Sequence, residues 1–245
     1  YYKTNTMTDL NNKVALITGG SKGIGYGVAA ALMAEGMKVA ITSRSKGAAE
    51  KAAQALNQAG KGKALGLESD VRNYQSQQEA VAQTVAKFGG IDLLFANAGL
   101  GHFANIEDME IDQWNAVIET NLTGVFYSIK ASLAELKKTK GYFITLSSLA
   151  GTNFFAAGSA YNASKFGLTG FTQSVMLDLR QHGIRVSTIM PGSVSTHFAG
   201  NEPSEKDAWK IQPEDIGEMT VNLLKLNART LPSKIEVRPS MPPSK

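Results

Sequence analysis

The stretch Val14-Ala15-Leu16-Ile17-Thr18-Gly19-Gly20-Ser21-Lys22-Gly23-Ile24-Gly25 decides how this chain folds. Its first five residues are apolar or β-branched and suit a buried strand. The residues from Ile24 to Glu35 then read as a helix, stopped by Gly36. Glycines between a strand and a helix let the backbone take positive φ and come close to an anion. The helix N-terminus adds free N–H groups and the positive end of its dipole. In that setting Gly19, Ser21, Lys22, Gly23, Ile24 and Gly25 read as a cradle for the pyrophosphate of a dinucleotide. Taken alone, such a cluster can also be an ordinary turn.

Outward from this unit, short apolar segments alternate with longer helical ones. Strands are expected at Lys38–Ser43, Lys63–Leu67, Leu93–Ala96, Tyr142–Leu146, Arg185–Met190 and Lys234–Val237. Helices are expected at Ala48–Ala59, Gln75–Phe88, Asp112–Lys137, Tyr161–Gln181 and Pro213–Asn227. The alternation predicts an α/β chain: a three-layer, doubly wound Rossmann fold around a parallel sheet of about seven strands. Ser193 to Ile211 is polar and mixed, and reads as a loop or short helical lid. No linker or repeat breaks the series, so residues 7–245 are read as one domain. Residues 1–6 fit no element and read as a probable tag remnant before Met7.

Composition narrows the function. Of 245 residues, 43% are hydrophobic and 19% charged, with a net charge of +4. The basic residues are scattered, which argues against a nucleic-acid partner and suits a phosphorylated small ligand. There is no cysteine, so disulfides and thiolate metal sites are excluded and a reducing, cytoplasmic setting is expected. The histidines, His102, His182 and His197, lack metal-ligand spacing, and no metal is expected. No apolar run approaches the roughly 20 residues of a membrane span, and no signal peptide is visible.

The second strand ends in Ser43-Arg44. An acid there would hold a ribose 2′-hydroxyl and repel a 2′-phosphate. Ser43 and Arg44, with Lys22 in the glycine turn, would instead welcome the phosphate. One charge-assisted contact is worth roughly 1.5–3 kcal/mol, so NADP(H) is expected to be preferred about tenfold or more, with NAD(H) use possible. The competing reading is two solvated surface cations.

The chemistry is expected from Ser148, Tyr161 and Lys165. Tyr161 and Lys165 are four apart and share a helix face. Ser148 follows the strand Tyr142–Leu146. A hydroxyl, a phenol and an ammonium together can protonate a carbonyl oxygen. A free phenol titrates near 10, and a neighbouring ammonium is expected to lower it by roughly 1–3 units. Tyr161 and Lys165 taken alone read as a half-buried aromatic and its snorkelling neighbour.

At this point the chain resembles the short-chain dehydrogenase/reductase family. The likeness runs from Asn11 to Val237 and rests on motifs in order: TGxxxGIG, Asp70-Val71, Asn97-Ala98-Gly99, Asn121, SSxAG, YxASK and Pro191-Gly192. The resemblance implies that Tyr161 is the general acid/base, that Ser148 orients the substrate oxygen, and that Lys165 also holds the nicotinamide ribose. It implies that Asn121 marks a kink carrying a proton-relay water. It places Asp70 and Val71 beside the adenine and Asn97, Ala98 and Gly99 under the cofactor. Pro191, Gly192, Val194 and Thr196 would hold the nicotinamide amide. The helices Asp112–Lys137 and Ala157–Gln181 would form a homodimer or homotetramer face, though Lys234-Ile-Glu-Val-Arg-Pro239 departs from the family's glycine-rich end.

Around the open side of such a site, Phe103, Phe154, Phe155 and Phe198 would make an apolar rim. This favours a hydrophobic ketone or alcohol substrate, reduced reversibly, as in a carbonyl reductase. Reduction of a 3-oxoacyl thioester is the second enzyme reading. A non-catalytic dinucleotide-binding sensor is the third, weakened by the presence of both Tyr161 and Lys165.

Overall fold

The computed structural model describes residues 9–241; the remnant read at residues 1–6 lies outside them. Seven parallel strands form one sheet: β1 (Val14–Thr18), β2 (Lys38–Ser43), β3 (Lys63–Glu68), β4 (Leu93–Ala96), β5 (Tyr142–Leu146), β6 (Arg185–Pro191) and β7 (Lys234–Val237). Their spatial order is β3-β2-β1-β4-β5-β6-β7. The central register sets Val14 beside Lys38 and Ala15 beside Leu93. The helices are α1 (Gly23–Ala34), α2 (Lys46–Ala59), α3 (Tyr74–Phe88), α4 (Ile111–Ile118), α5 (Gly124–Thr139), α6 (Ser159–Leu179) and α7 (Pro213–Lys225).

Strand alternation divides the apolar residues between the two faces of the sheet. Ala15, Ile17, Ile41, Phe95 and Ile144 pack with Val28, Leu32 and Met33 of α1, Leu56 of α2 and Ile216 of α7. Leu16, Leu94 and Phe143 face the other way, onto Val81, Ile129 and Leu168 of α3, α5 and α6. Each such large side chain contributes roughly 1.5–3 kcal/mol of burial. Continuous apolar strands, buried on both faces, are what a parallel sheet between two helix layers demands.

The chain builds outward from β1 to β3, then returns across β1 to start β4. The loops after β1 and β4 therefore leave the sheet in opposite directions and open a crevice between them. That topological step positions everything below.

One expectation fails locally. The helix read as continuous from Asp112 to Lys137 is two helices, α4 and α5, joined by a π-helical turn at Glu119–Thr123. The extra residue in the turn faces Asn121 inward, where it is 1% exposed. The region before α7 contains two 3₁₀ turns, Phe198–Gly200 and Glu205–Asp207, in keeping with the short lid expected there. Among the described residues no helix is long and apolar enough to cross a membrane, and no cluster of metal-ligating side chains occurs.

Candidate active site

A cleft of about 630 Å³ lies at the carboxyl ends of the strands. Gly19, Ser21, Lys22, Gly23 and Ile24 form one wall. Gly19 has φ +65°, and a Cβ there would stand 2.9 Å from Ala98 Cα. Gly25 lies beneath the wall rather than on it; its missing Cβ makes room for Asn97 Nδ2 at 2.6 Å. Asn97 ties the turn down, donating from Nδ2 to the carbonyls of Thr18 and Gly19, both at 2.9 Å. Thr18 Oγ1 in turn accepts from the amides of Asn97 and Ala98 at 3.0 and 3.1 Å. The two loops that part at the crevice are thus stitched together at its base.

The start of α1 carries no side-chain cap, since Lys22 at its N-cap makes none, and its first turn holds no acid. Helix-terminal amides without a side-chain acceptor, behind a glycine wall, suit an anionic group. Ser43 and Arg44 line the far end of the same cleft, and Ser43 Oγ accepts from Ser45 N at 3.3 Å. Asp70 and Val71 line it too. The Asp70 carboxylate is held by Arg72 through Nη2 at 2.7 Å and Nε at 3.1 Å. That bond holds the Asp70 carboxyl below the usual range, with a smaller pull from Arg44. Ala98, Gly99, Pro191, Gly192, Val194 and Thr196 complete the predicted lining. The donors, glycines and cations present therefore fit a phosphorylated dinucleotide.

Ser148, Tyr161 and Lys165 meet at the opposite end of the cleft. The strand end explains why Ser148 and not Ser147 is available. Ser147 points inward, 3% exposed, with Oγ bonded to Lys165 O and Thr169 Oγ1. Ser148 faces the cleft; its Oγ accepts from Ala150 N at 3.1 Å and donates to Pro191 O at 3.4 Å. Lys165 is 5% exposed, and its Nζ donates to Leu146 O at 2.9 Å. Asn121 does not line the cleft but stands behind it. Its Oδ1 accepts from Leu100 N at 2.9 Å, and its Nδ2 donates to Leu100 O and Ser164 Oγ at 2.9 and 3.0 Å. The π turn is what brings this side chain to the Leu100 backbone.

The protonation of the site departs from the sequence reading. Lys165 was expected to lower the Tyr161 phenol. Instead burial pushes Tyr161 up, and the nearby Ser148 hydroxyl draws it back only in part. The same burial brings Lys165 down to about 8. The physical reason is burial: loss of solvent disfavours the charged form of each group, and Lys165 Nζ spends a donor on the Leu146 carbonyl.

Aromatic side chains close around the phenol. Phe103 meets Tyr161 edge-on at 5.5 Å and Phe198 lies 5.6 Å from it. Phe155 packs on Phe103 at 5.9 Å. Phe154, expected in this rim, is 87% exposed and takes no part in the cluster. Thr120, His197, Asn201 and Lys210 also line the cleft. Thr120 was not singled out because a break in the helix brings it there. Lys210 reaches the cleft through the fold of the lid and pairs with Asp207 at 2.6 Å; no local motif announces it.

The fold and this constellation define a nicotinamide-dependent oxidoreductase class. The short chain dehydrogenase family model matches residues 13–207, and the chain belongs to that family. It is 37% identical over 217 residues to a 3-oxoacyl-[acyl-carrier-protein] reductase of Synechocystis sp., covering 86% of this chain and 88% of the relative. It is 31% identical over 235 residues to an uncharacterised oxidoreductase of Staphylococcus aureus strain MW2, covering 95% and 100%. Among solved structures it is similar to an alcohol dehydrogenase of the archaeon Thermococcus sibiricus complexed with 5-hydroxy-NADP. That match has TM-score 0.88 and 31% identity, over 95% of this chain and 99% of the other. A metagenomic short-chain oxidoreductase in complex with NADP gives TM-score 0.82 and 31% identity, over 96% and 100%.

Proposed function

We propose that this chain is an NADPH-preferring reductase that converts a hydrophobic ketone reversibly to a secondary alcohol. The observation that carries the reading is one continuous cleft with Arg44, Ser43 and Lys22 at one end and Ser148, Tyr161 and Lys165 at the other. A reduced nicotinamide dinucleotide bound there supplies the hydride. Residues 7–245 act as one domain in this reading.

Tyr161 donates a proton to the carbonyl oxygen as negative charge develops on it. A phenol held up by burial is fully protonated at neutral pH, which suits the reductive direction. Ser148 Oγ has only a long bond to Pro191 O to give up, so its proton can turn to the same oxygen and orient it. Lys165 is the buried amine beside the phenol. Charge left on the Tyr161 oxygen raises the proton affinity of Lys165, so the amine helps to hold the phenolate until it is reprotonated. Asn121 Oδ1 and Lys165 Nζ both face Gly99, at 3.3 and 3.8 Å from the position of a Cβ there. Asn121 is therefore placed to support a proton path from Lys165 while it fixes the Leu100 backbone.

Arg44 and Lys22 favour NADPH, because no carboxylate ends β2 and Asp70 is already engaged by Arg72. Phe103, Phe155 and Phe198 favour an apolar, aryl-bearing substrate. Phe126 and Phe166, on α5 and α6, are 44% and 43% exposed. They support a homodimer through those helices, and a tetramer built on it. The cysteine-free composition suits the cytoplasm.

The second reading, 3-oxoacyl thioester reduction, draws on the Synechocystis relative. Against it, Lys210 at the cleft is neutralised by Asp207, which leaves little positive charge for a carrier's phosphate. The test is NADPH oxidation with aryl ketones, β-ketoesters and acyl thioesters. Turnover of aryl ketones above thioesters is expected; thioesters alone as substrates would replace the first reading, and binding of NADPH with no turnover would favour a sensor.

A further inference from the structure

We propose that Asn162, the residue after Tyr161, is a positioning residue that shapes the substrate wall. This rests on the reductase reading above. Asn162 is 8% exposed and sits on α6 with its carboxamide turned toward the loop that follows β5. Its Nδ2 donates to Ala150 O at 2.9 Å and to Asn153 O at 2.8 Å. Its Oδ1 accepts from Phe155 N at 3.4 Å. One amide thus holds three points of a six-residue loop, and both of its donor hydrogens are used.

The loop matters because of what it carries. It begins beside Ser148, whose Oγ accepts from Ala150 N, and it ends at Phe155. Phe155 packs on Phe103, which packs edge-on against Tyr161. Backbone carbonyls in a loop have no ladder of their own, so the bonds from Asn162 fix where Phe155 stands. Gly158 completes the device. A Cβ there would lie 2.5 Å from Asn162 Oδ1 and 2.5 Å from Phe155 Cε2, at an ordinary φ of −105°. The carboxamide and the ring therefore share the space that glycine leaves. The loop is also pinned from outside, as Ala104 N donates to Ala157 O at 3.0 Å. Phe103, one residue earlier, is joined to the same wall by backbone.

Two substitutions disturb the wall in different ways. Asn162→Asp keeps the shape but turns two donated bonds into repulsion of carbonyl oxygens. Gly158→Ala leaves the donor groups in place but crowds both the Phe155 ring and the Asn162 carboxamide. Each is expected to raise KM for an aryl ketone about tenfold, with a smaller fall in kcat and less than a twofold change in KM for a short aliphatic ketone. NADPH affinity, read by fluorescence titration, should stay within twofold. Amide hydrogen exchange across residues 149–158 should quicken at least tenfold in Asn162→Asp, with circular dichroism confirming that the variant is folded. Unchanged exchange in that loop, or equal loss on both ketones, overturns the proposal. If the wild-type protein reduces no ketone, the reductase reading fails, and the exchange experiment still decides whether Asn162 holds the loop.

Discussion

The two ends of the cleft are built from different materials. The dinucleotide end is mostly backbone: Gly19 and Gly23 at positive φ, uncapped amides of α1, and a turn held by Asn97. Its charges, Lys22 and Arg44, are exposed and adjustable. The reacting end is made of side chains, with Lys165 and Asn121 buried and Ser148 and Tyr161 half-buried at the cleft. Lys165 is bonded to Leu146 O, Asn121 to Leu100, and Tyr161 is enclosed by Phe103 and Phe198. In the proposed reading an exposed cation tunes which cofactor is preferred, whereas a buried polar group decides whether the reaction runs. Substitutions should therefore differ in kind between the ends, not only in size.

The largest effect belongs to the reacting end. Tyr161→Phe removes the proton donor and leaves the ring packing intact, so kcat should fall by about 10²–10⁴ while dinucleotide affinity by titration stays near wild type. At the other end, Arg44→Asp should reverse the pattern. The ratio of NADPH to NADH in kcat/KM is expected to drop by roughly 10–100-fold, the loss of one charge-assisted contact. An unchanged ratio would remove Arg44 from the comparison.

The third difference is in stability. Burial brings Lys165 from 10.5 to about 8. Below pH 8 the amine is charged in folded and unfolded chains alike, and folding carries the full cost of burying the charge. Between pH 8 and 10.5 only the unfolded chain binds the proton, so this cost fades as pH rises. Lys165→Met should thus stabilise the ligand-free protein below pH 8 by at most about 3 kcal/mol, with the gain shrinking toward pH 10.5 in denaturant titrations. The smallest effect is expected from Phe198→Ala, which loosens one side of the aromatic enclosure. An aromatic pair is worth about 0.5–1.5 kcal/mol, so KM for an aryl ketone should rise roughly 2–10-fold.

The same contrast governs what the sequence reveals. Strand–turn–helix order is local, so β1, the glycine wall and the seven-strand sheet could be read from short stretches. The pair Tyr161 and Lys165 is also local, one helical turn apart. The π turn at Glu119–Thr123 was not legible beyond the family likeness, because it goes with a pair of hydrogen bonds between Asn121 and the Leu100 backbone, 21 residues away. The shift of the Tyr161 phenol was read with the wrong sign. Spacing shows that an amine is near a phenol, but not how deeply each is buried or that the amine donates to Leu146 O. Phe154 and Phe155 are neighbours in sequence, yet only one joins the enclosure, since Asn162 and Gly158 settle which ring turns inward.

The account stands on a single dinucleotide spanning both ends of the cleft. A crystal structure with NADP⁺ tests this most directly. It should place the 2′-phosphate against Arg44 and Ser43, the pyrophosphate on the Gly19–Ile24 wall and the nicotinamide beside Tyr161. A nicotinamide remote from Tyr161, or a 2′-phosphate that touches neither Arg44 nor Ser43, would contradict it.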